Sequence, residues 1–276
     1  MDPMMPFSKL TNTTGKHKDW YTPEYLKVLC RVINPDDSLF STQTLCREFK
    51  KSYQKLELKE RLNCIAELLD VALDCSYPEQ LEVLSRAFGP PLESETGMFT
   101  DGYYLYPLSQ FAELYGERDL PASLAFIYKL TQRFTGEWAI RTIANADEKL
   151  TLKTVKDWAK DSNFHVRRLA SEGLRPRLPW GKKIAWVDQS PKKLLPVYNK
   201  LRNDDVLYVR RSVANSMGDI IKIDDSLAYA TFEKWLKGNA TPENLWVIKH
   251  AIRTPVKKGE KKYVALKKKV ERLMKE

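Results

Sequence analysis

The sequence is poor in the residues that build metal centres and disulfide frameworks. Its 276 residues include four cysteines and three histidines, and no Cys-x-x-Cys pair occurs. The cysteines are Cys30, Cys46, Cys64 and Cys75. Their wide spacing and the lack of a nearby histidine argue against a zinc motif. We therefore expect reduced, mostly buried thiols, no metal and no cofactor.

Long hydrophobic runs and strand signals are missing as well. No apolar stretch approaches the roughly 18 residues that a bilayer-spanning helix needs, and residues 1–20 lack the pattern of a secretory signal. Period-two runs of β-branched residues joined by Asn-Gly turns are also absent. We expect a monomeric cytoplasmic protein, nucleoid-associated if bacterial, with no membrane partner and no β-sheet.

Positive charge is concentrated in the second half of the chain. Residues 1–130 carry a net charge of −5, whereas residues 131–276 carry +15. A field of one sign and that size attracts polyanions, and nucleic acid is the obvious candidate. Charge alone fits a merely solubilising surface equally well.

Three segments of the second half share one pattern: VKDWAKDSNFHVRRLASEG, YNKLRNDDVLYVRRSVANSMGDI and FEKWLKGNATPENLWVIKHAI. In each, a helix ends in a polar Asn or Asp turn, and a second helix then opens with an aromatic residue or histidine and a valine. These valines, Val166, Val209 and Val247, are 43 and 38 residues apart, which is the period of HEAT-type repeats. The pattern predicts an all-α solenoid of HEAT-like helical repeats with a concave basic face.

The rest of the chain fits around these repeats. Helical periodicity is present over residues 41–88, stops in the segment rich in Gly, Pro and Thr that follows, and then returns. We predict an N-terminal extension at 1–40 and a repeat domain at 41–276. Within that domain we expect a long loop at 89–107 and a basic amphipathic helix at 260–276.

Arginine and carboxylate side chains share a helix face in three successive repeats: Glu137 with Arg141, Arg168 with Glu172, and Arg211 with Asp219. Each charged face lies opposite an apolar stripe, so we expect the stripe to be buried and the charged face to be exposed. Trp180 follows RPRLP, outside any helical period. A proline-bounded loop of this kind is predicted to hold the indole toward solvent or a ligand.

A carboxylate inside a run of arginines needs an explanation. Surface ion pairs at this spacing are common and contribute only about 0.3–0.5 kcal/mol, so any single pair is explained without a function. Nearby positive charge keeps a carboxylate ionised, and an ionised carboxylate opposes the binding of DNA phosphates. The recurrence favours another purpose, which is to stabilise the oxocarbenium-like state of glycosidic bond cleavage and to position water.

Four segments together resemble the HEAT-like-repeat DNA glycosylases of the AlkC and AlkD superfamily, and especially the AlkC branch: LTQRFTGEWAIR, NFHVRRLASEGLRPRLPW, DDVLYVRRSVANSMGDI and NLWVIKHAIRTPVKKG. The resemblance extends over nearly the whole chain from LELKERLNCIAELL onward. It implies a monofunctional, metal-free glycosylase that removes cationic bases such as 3-methyladenine and 3-methylcytosine from double-stranded DNA.

The resemblance also implies roles for residues. Glu137, Glu172 and Asp219 match the acidic catalytic positions, and Trp180 matches the active-site aromatic residue. The arginines expected to bind DNA are Arg141, Arg168, Arg175, Arg177, Arg210 and Arg211. Several AlkC-type proteins carry an immunoglobulin-like domain after the repeats, whereas this sequence stops at residue 276. We expect this difference to affect DNA engagement more than the carboxylate chemistry.

Two other classes of protein fit the sequence in part. A catalytically silent HEAT-repeat protein that binds nucleic acid would keep the arginines, but it gains nothing from three carboxylates among them. A protein-interaction scaffold is typical of HEAT repeats, but it does not explain the net charge of +15 on residues 131–276. DNA binding that is insensitive to salt would eliminate both DNA-binding interpretations.

Overall fold

The computed structural model describes residues 7, 15–95, 101–238 and 240–275, which are mainly helical. Within these residues no strand occurs, and sixteen α-helices alternate with turns and short 3-10 helices. In chain order they are α1 (Pro23–Ile33), α2 (Thr42–Lys50), α3 (Leu58–Ala72), α4 (Tyr77–Ser85), α5 (Tyr106–Tyr115), α6 (Leu120–Thr131), α7 (Ala139–Ala146), α8 (Glu148–Trp158), α9 (Phe164–Glu172), α10 (Ala185–Gln189), α11 (Leu195–Leu201), α12 (Leu207–Ile221), α13 (Asp225–Lys237), α14 (Pro242–Ala251), α15 (Arg253–Lys257) and α16 (Lys261–Leu273). The predicted all-α fold class is confirmed.

The helices form two compact units, residues 1–143 and residues 144–276. In the first unit α1 packs on α2 and α4, α3 packs on α5, and α4 packs on α6. In the second unit α9, α12 and α14 pack in succession, and α16 packs on α14. Among the described residues no helix is both long enough and apolar enough to cross a membrane.

The second unit contains three successive helix pairs, α8 with α9, α11 with α12, and α13 with α14. The first two pairs are joined by the polar turns that the sequence pattern predicts, at 159–163 and 202–206, whereas residue 239 in the third turn lies outside the described residues. Val166, Val209 and Val247 occupy corresponding positions in the second helices and are completely buried. The predicted HEAT-like repeats are therefore confirmed in this unit.

Polar side chains in the turns bond to the backbone where the second helix begins. Asn163 accepts hydrogen bonds from the backbone N–H groups of His165 and Val166 at 2.9 and 3.4 Å and so caps α9. Asp204 accepts from the N–H of Val206, the residue before α12, at 3.0 Å. The Asn of the sequence pattern is thus a helix cap in the first pair, whereas the Asp of the next pair fixes the turn itself.

Arg167 links the turns of two adjacent pairs. Its Nε and Nη2 donate to the two carboxylate oxygens of Asp204 at 2.6 and 3.0 Å. Its Nη1 donates to the carbonyls of Asp161 and Ser162, in its own turn, at 3.0 and 2.9 Å. One largely buried guanidinium therefore fixes the spacing between α9 and the pair that follows.

The predicted loop at 89–107 is shorter than expected. A 3-10 helix occupies Tyr103–Leu105, and α5 begins directly after it. The cause is aromatic burial, since Tyr103 is buried and its carbonyl accepts a hydrogen bond from the Tyr21 hydroxyl at 2.9 Å. Residues 96–100 of this segment lie outside the described residues.

The prediction of mostly buried thiols is wrong. All four cysteines are free, but only Cys30 is buried, while Cys46 and Cys64 are half-buried and Cys75 is exposed. Cys75 lies in the turn between α3 and α4, which leaves its side chain open to solvent. No group of three or more His, Cys, Asp or Glu side chains within the described ranges is arranged to hold a metal ion.

Asp204→Ala is expected to lower the free energy of unfolding by about 3 kcal/mol, because it removes the one buried carboxylate that pairs with the Arg167 guanidinium. Asp205 offers a matched control, since its side chain is 89% exposed and lies 3.4 Å from the same guanidinium. Asp205→Ala is expected to cost less than about 0.5 kcal/mol. Urea-induced unfolding followed by circular dichroism measures both losses, and equal losses would contradict the linking role of Arg167.

Candidate active site

The end of α9 brings a carboxylate and a guanidinium together. The helix ends at Glu172, and the N–H of Gly173 donates to the carbonyl of Leu169 at 2.9 Å. The chain then turns, and the N–H of Arg175 donates to the carbonyl of Glu172 at 3.1 Å. This tight turn places the Arg175 side chain beside the Glu172 carboxylate.

The Arg175 guanidinium bridges acids from two adjacent repeats. Its Nη1 donates to Oε1 of Glu172 at 2.7 Å, and its Nε donates to Oδ2 of Asp219 at 3.0 Å. Glu172 belongs to α9 and Asp219 to α12, and their exposed fractions are only 6% and 3%. We call Glu172, Arg175 and Asp219 the carboxylate–guanidinium centre.

Further cations lie next to this centre. Nη2 of Arg168 is 3.7 Å from Oε1 of Glu172, and the same guanidinium lies 5.1 Å from the centroid of the Tyr208 ring. Nζ of Lys222 is 3.4 Å from Oδ1 of Asp219. Two carboxylates are therefore surrounded by three positive charges, which leaves one net positive charge on the group.

The surroundings of Glu172 favour its ionised form. Burial opposes ionisation, but the positive charges of Arg168 and Arg175 and a hydrogen bond from Ser212 outweigh it. Together they hold the pKa of Glu172 below its ordinary value of 4.5. The Glu172 side chain is therefore an anion at neutral pH, although it is almost fully buried.

Two serines set the distance between the helices that carry the acids. The hydroxyl oxygens of Ser171, on α9, and Ser212, on α12, are 2.7 Å apart and fully enclosed. Small hydroxyl side chains satisfy each other there and let the two helices approach closely. Sequence reasoning gave neither serine a role, because the only signal they offer is a small residue in the middle of a helix.

Trp180 stands in the loop between α9 and α10. Its φ of 61° lies in the left-handed region, which residues other than glycine seldom adopt. The side chain is 65% exposed, while the neighbouring Leu178 is buried and anchors the loop. The exposed indole agrees with the expectation from the proline-bounded loop, and its role in a site stays a prediction.

Glu137 and Arg141 belong to the first unit and are buried there. Glu137 lies in the turn before α7 and accepts a hydrogen bond from the Thr135 hydroxyl at 3.0 Å, while its own N–H donates to that hydroxyl at 3.2 Å. The adjacent Trp138 stacks on Tyr106 with ring centroids 4.8 Å apart. Thr135 and this aromatic stack therefore fix the backbone on either side of the carboxylate.

The predicted exposure of the charged helix faces is wrong for most members. The buried ones are Glu137, Arg141, Arg168, Glu172 and Asp219. In the second unit the face of α9 opposite its apolar stripe is covered by the next helix pair and by the loop after α9. Ion pairing compensates this burial at Glu172 and Asp219, which explains why charged side chains are accepted in the interior.

The other arginines predicted to hold phosphates differ in how much they are already engaged. Arg177 donates to Oδ1 of Asp188 at 2.7 Å. Nη1 of Arg210 donates to two carbonyls of the preceding turn at 2.6 and 3.0 Å. Arg211 is exposed, and no acidic side chain of the described residues pairs with it. Arg211 is thus the member of this set that is open to an outside anion.

The carboxylate–guanidinium centre is suited to stabilising a positive charge. Its acids are fixed by hydrogen bonds before any substrate arrives, so they need no reorganisation when a cation develops nearby. A carboxylate also has up to four lone-pair sites, of which the arginine contacts use only some, so it can still orient a water molecule. Fold and site together define a HEAT-like helical-repeat protein with an anionic pair held between adjacent repeats.

Comparisons with known proteins identify relatives of this chain. No protein-family model matches the chain. The uncharacterized protein YhaZ of Bacillus subtilis (strain 168) is 37% identical to it over 216 residues, which are 78% of this chain and 57% of YhaZ. The chain thus spans a little over half the length of that curated relative.

A solved structure matches more of the chain. The alkylpurine DNA glycosylase AlkC of Pseudomonas fluorescens, bound to DNA containing an abasic site analog, superposes with a TM-score of 0.79 at 29% identity. The match covers 92% of this chain and 68% of AlkC. AlkD2 from Streptococcus mutans is less similar, with a TM-score of 0.39 at 21% identity. The chain is thus similar in sequence to YhaZ and in both sequence and fold to AlkC, which confirms the resemblance that the sequence predicts.

Arg175→Ala is expected to lower the free energy of unfolding by about 3–5 kcal/mol, because two buried carboxylates lose their shared guanidinium. Arg177→Ala is the matched control two residues along the loop, since its partner Asp188 is partly exposed, and its expected cost is below about 1 kcal/mol. Chemical denaturation measures both. If the loss for Arg175→Ala does not exceed that for Arg177→Ala, the bridge is not a stabilising element.

The stability contributed by Glu172 is expected to depend on pH. Its pKa in the folded protein is lower than the ordinary value of 4.5, so the unfolded chain takes up the proton first. The contribution is complete above the ordinary pKa and is lost as pH falls through the folded-state pKa. The difference in unfolding free energy between wild type and Glu172→Gln should therefore be constant above about pH 5 and shrink in more acidic buffer. A constant difference down to about pH 3 would mean that folding does not lower the pKa of Glu172.

Proposed function

We propose that this protein is a DNA glycosylase that hydrolyses the N-glycosidic bond of cationic alkylated bases in double-stranded DNA. The bases are of the 3-methyladenine and 3-methylcytosine type. The observation that carries the proposal is the carboxylate–guanidinium centre, whose two buried acids lie 2.7 and 3.0 Å from one guanidinium. The similarity to AlkC, an alkylpurine DNA glycosylase, supports the same activity.

The chemistry follows from the charge of the substrate. An alkylated base of this type is already cationic, so it leaves as a neutral molecule with the electron pair of the glycosidic bond and needs no strong general acid. The positive charge then moves to the sugar, where Glu172 and Asp219 stabilise it. Water adds to the anomeric carbon and gives its proton to a carboxylate, which leaves an abasic site.

Other side chains are assigned roles in the same reaction. The exposed indole of Trp180 stacks on the cationic base or sugar, an interaction of about 0.5–2 kcal/mol. Glu137, in the first unit, is assigned as a further acidic catalytic residue by resemblance to the family. Arg211 binds a backbone phosphate, whereas Arg168 and Arg175 hold the Glu172 carboxylate instead of a phosphate.

A catalytically silent DNA-binding protein is the second candidate. The observation that favours it is that both acids of the carboxylate–guanidinium centre are already engaged, as in an ion-pair network that serves only to join two repeats. The basic second half of the chain fits either function. The two candidates differ in the expected effect of removing the charge of one acid. A glycosylase would lose base release, whereas a silent DNA-binding protein has no reaction to lose.

Glu172→Gln is expected to abolish the release of methylated bases while duplex binding stays equal or becomes tighter, because only one negative charge is removed. Released bases from methylated DNA are identified by mass spectrometry, and duplex binding is measured in parallel. Glu271→Gln, on α16 and paired with Lys249 at 3.0 Å, is the matched control and should release bases like wild type. Unchanged release by Glu172→Gln refutes the assigned role. Release of no base by wild type favours the silent DNA-binding protein.

A further inference from the structure

Two exposed arginines outside the carboxylate–guanidinium centre lie near each other in the second unit. Arg211 belongs to α12, and Arg253 is the first residue of α15. Nη2 of Arg253 donates to Oδ1 of Asn215 at 2.9 Å, and its Nη1 donates to the carbonyl of His250 at 2.7 Å. Asn215 lies one helical turn from Arg211, so the Arg253 side chain is held against the face of α12 that carries Arg211.

Neither of these positive charges is neutralised by the protein. No acidic side chain within the described residues pairs with Arg211 or Arg253, although Arg167, Arg175 and Arg177 each have a carboxylate partner. Bringing two guanidinium groups together without an anion costs electrostatic energy. Two arginines held close together without an acidic partner are typical of a surface that binds an anionic ligand.

The pKa of the His250 side chain is affected by the same two positive charges. Its ring stacks on Trp246 with centroids 4.8 Å apart. Burial, together with the charges of Arg253 and Arg211, lowers the pKa of His250 to about 4. The imidazole is therefore neutral at physiological pH, and two arginines on different helices both act on it.

We propose that Arg211 and Arg253 together bind one phosphodiester group of the DNA backbone, with Asn215 holding Arg253 in position. The planar guanidinium fork matches phosphate oxygens, and two such groups surround one anion better than one does. The identity of this ligand rests on the proposed function, because duplex DNA is the substrate of that reaction. Arg253 and Asn215 thereby gain a role in substrate binding.

The position of this phosphate site relative to the acids follows from helix geometry. Arg211, Asn215 and Asp219 follow one another at intervals of four residues along α12. Eight residues correspond to about 12 Å of helix, so the backbone of Arg211 lies about two helical turns from the backbone of Asp219. The site therefore binds the strand beside the reacting nucleotide and leaves the acids to the sugar.

Equilibrium binding of an undamaged DNA duplex at several NaCl concentrations tests this site. Arg253→Ala is expected to weaken binding about tenfold and to reduce the slope of log affinity against log salt by about one, because one phosphate contact is lost. Asn215→Ala keeps both charges and removes only the tether, so we expect a smaller loss of affinity and an unchanged slope. Lys268→Ala, which removes an exposed charge on α16, is the control and should bind like wild type.

An affinity and salt slope for Arg253→Ala equal to those of Lys268→Ala would overturn the phosphate site. NMR titration of His250 gives an independent readout, since the pKa of this residue should rise when a bound phosphate compensates the two arginines. A pKa of His250 that does not change on duplex binding also overturns the site. Base release is measured separately, so a wild type that releases no base but shows these binding effects refutes the proposed function and leaves the phosphate site standing.

Discussion

Two buried acids can form one anionic centre in this protein because the Arg175 guanidinium lies between them. A buried carboxylate without a positively charged partner is costly, because burial removes the water that would stabilise its charge. The guanidinium bonds to Glu172 and to Asp219 at 2.7 and 3.0 Å. An arginine keeps its proton at every physiological pH, so this compensation is permanent. The chemistry proposed for the site depends on this one side chain.

The same bridge ties the site to the stacking of repeats. Arg175 joins the end of α9 to α12, while Arg167 joins the beginning of α9 to Asp204 in the turn before α12. Ser171 and Ser212 meet between these two links at 2.7 Å. Three polar contacts thus set the register of α9 against the next repeat, and this register determines the positions of the two carboxylates. An electrostatic site fixed in this way loses little energy to rearrangement during a reaction.

The sequence predicts the repeats and the acids, but it does not predict their environment. A period of three and four residues shows which side chains share a helix face, and Val166 and Val209 are buried as that period predicts. The same period cannot show that other segments cover the opposite face, so it predicts Glu172 to be exposed although it is buried. Arg175 lies beyond the last turn of α9, where no helical period applies. Its bridging contact is a tertiary feature that only the packed structure shows.

The proposed function puts carboxylates beside a DNA backbone, and their negative charge is compensated locally. Arg168, Arg175 and Lys222 surround Glu172 and Asp219, so the negative charge of the two acids is compensated within the group. Interactions between charges weaken with distance and are screened by salt over roughly 8 Å. A cation close to the carboxylate oxygens therefore responds mainly to them, whereas a more distant phosphate responds to the surplus of arginine and lysine. In the proposed function, the mixture of signs in this part of the sequence serves both to attract a polyanion and to stabilise a positive charge at short range.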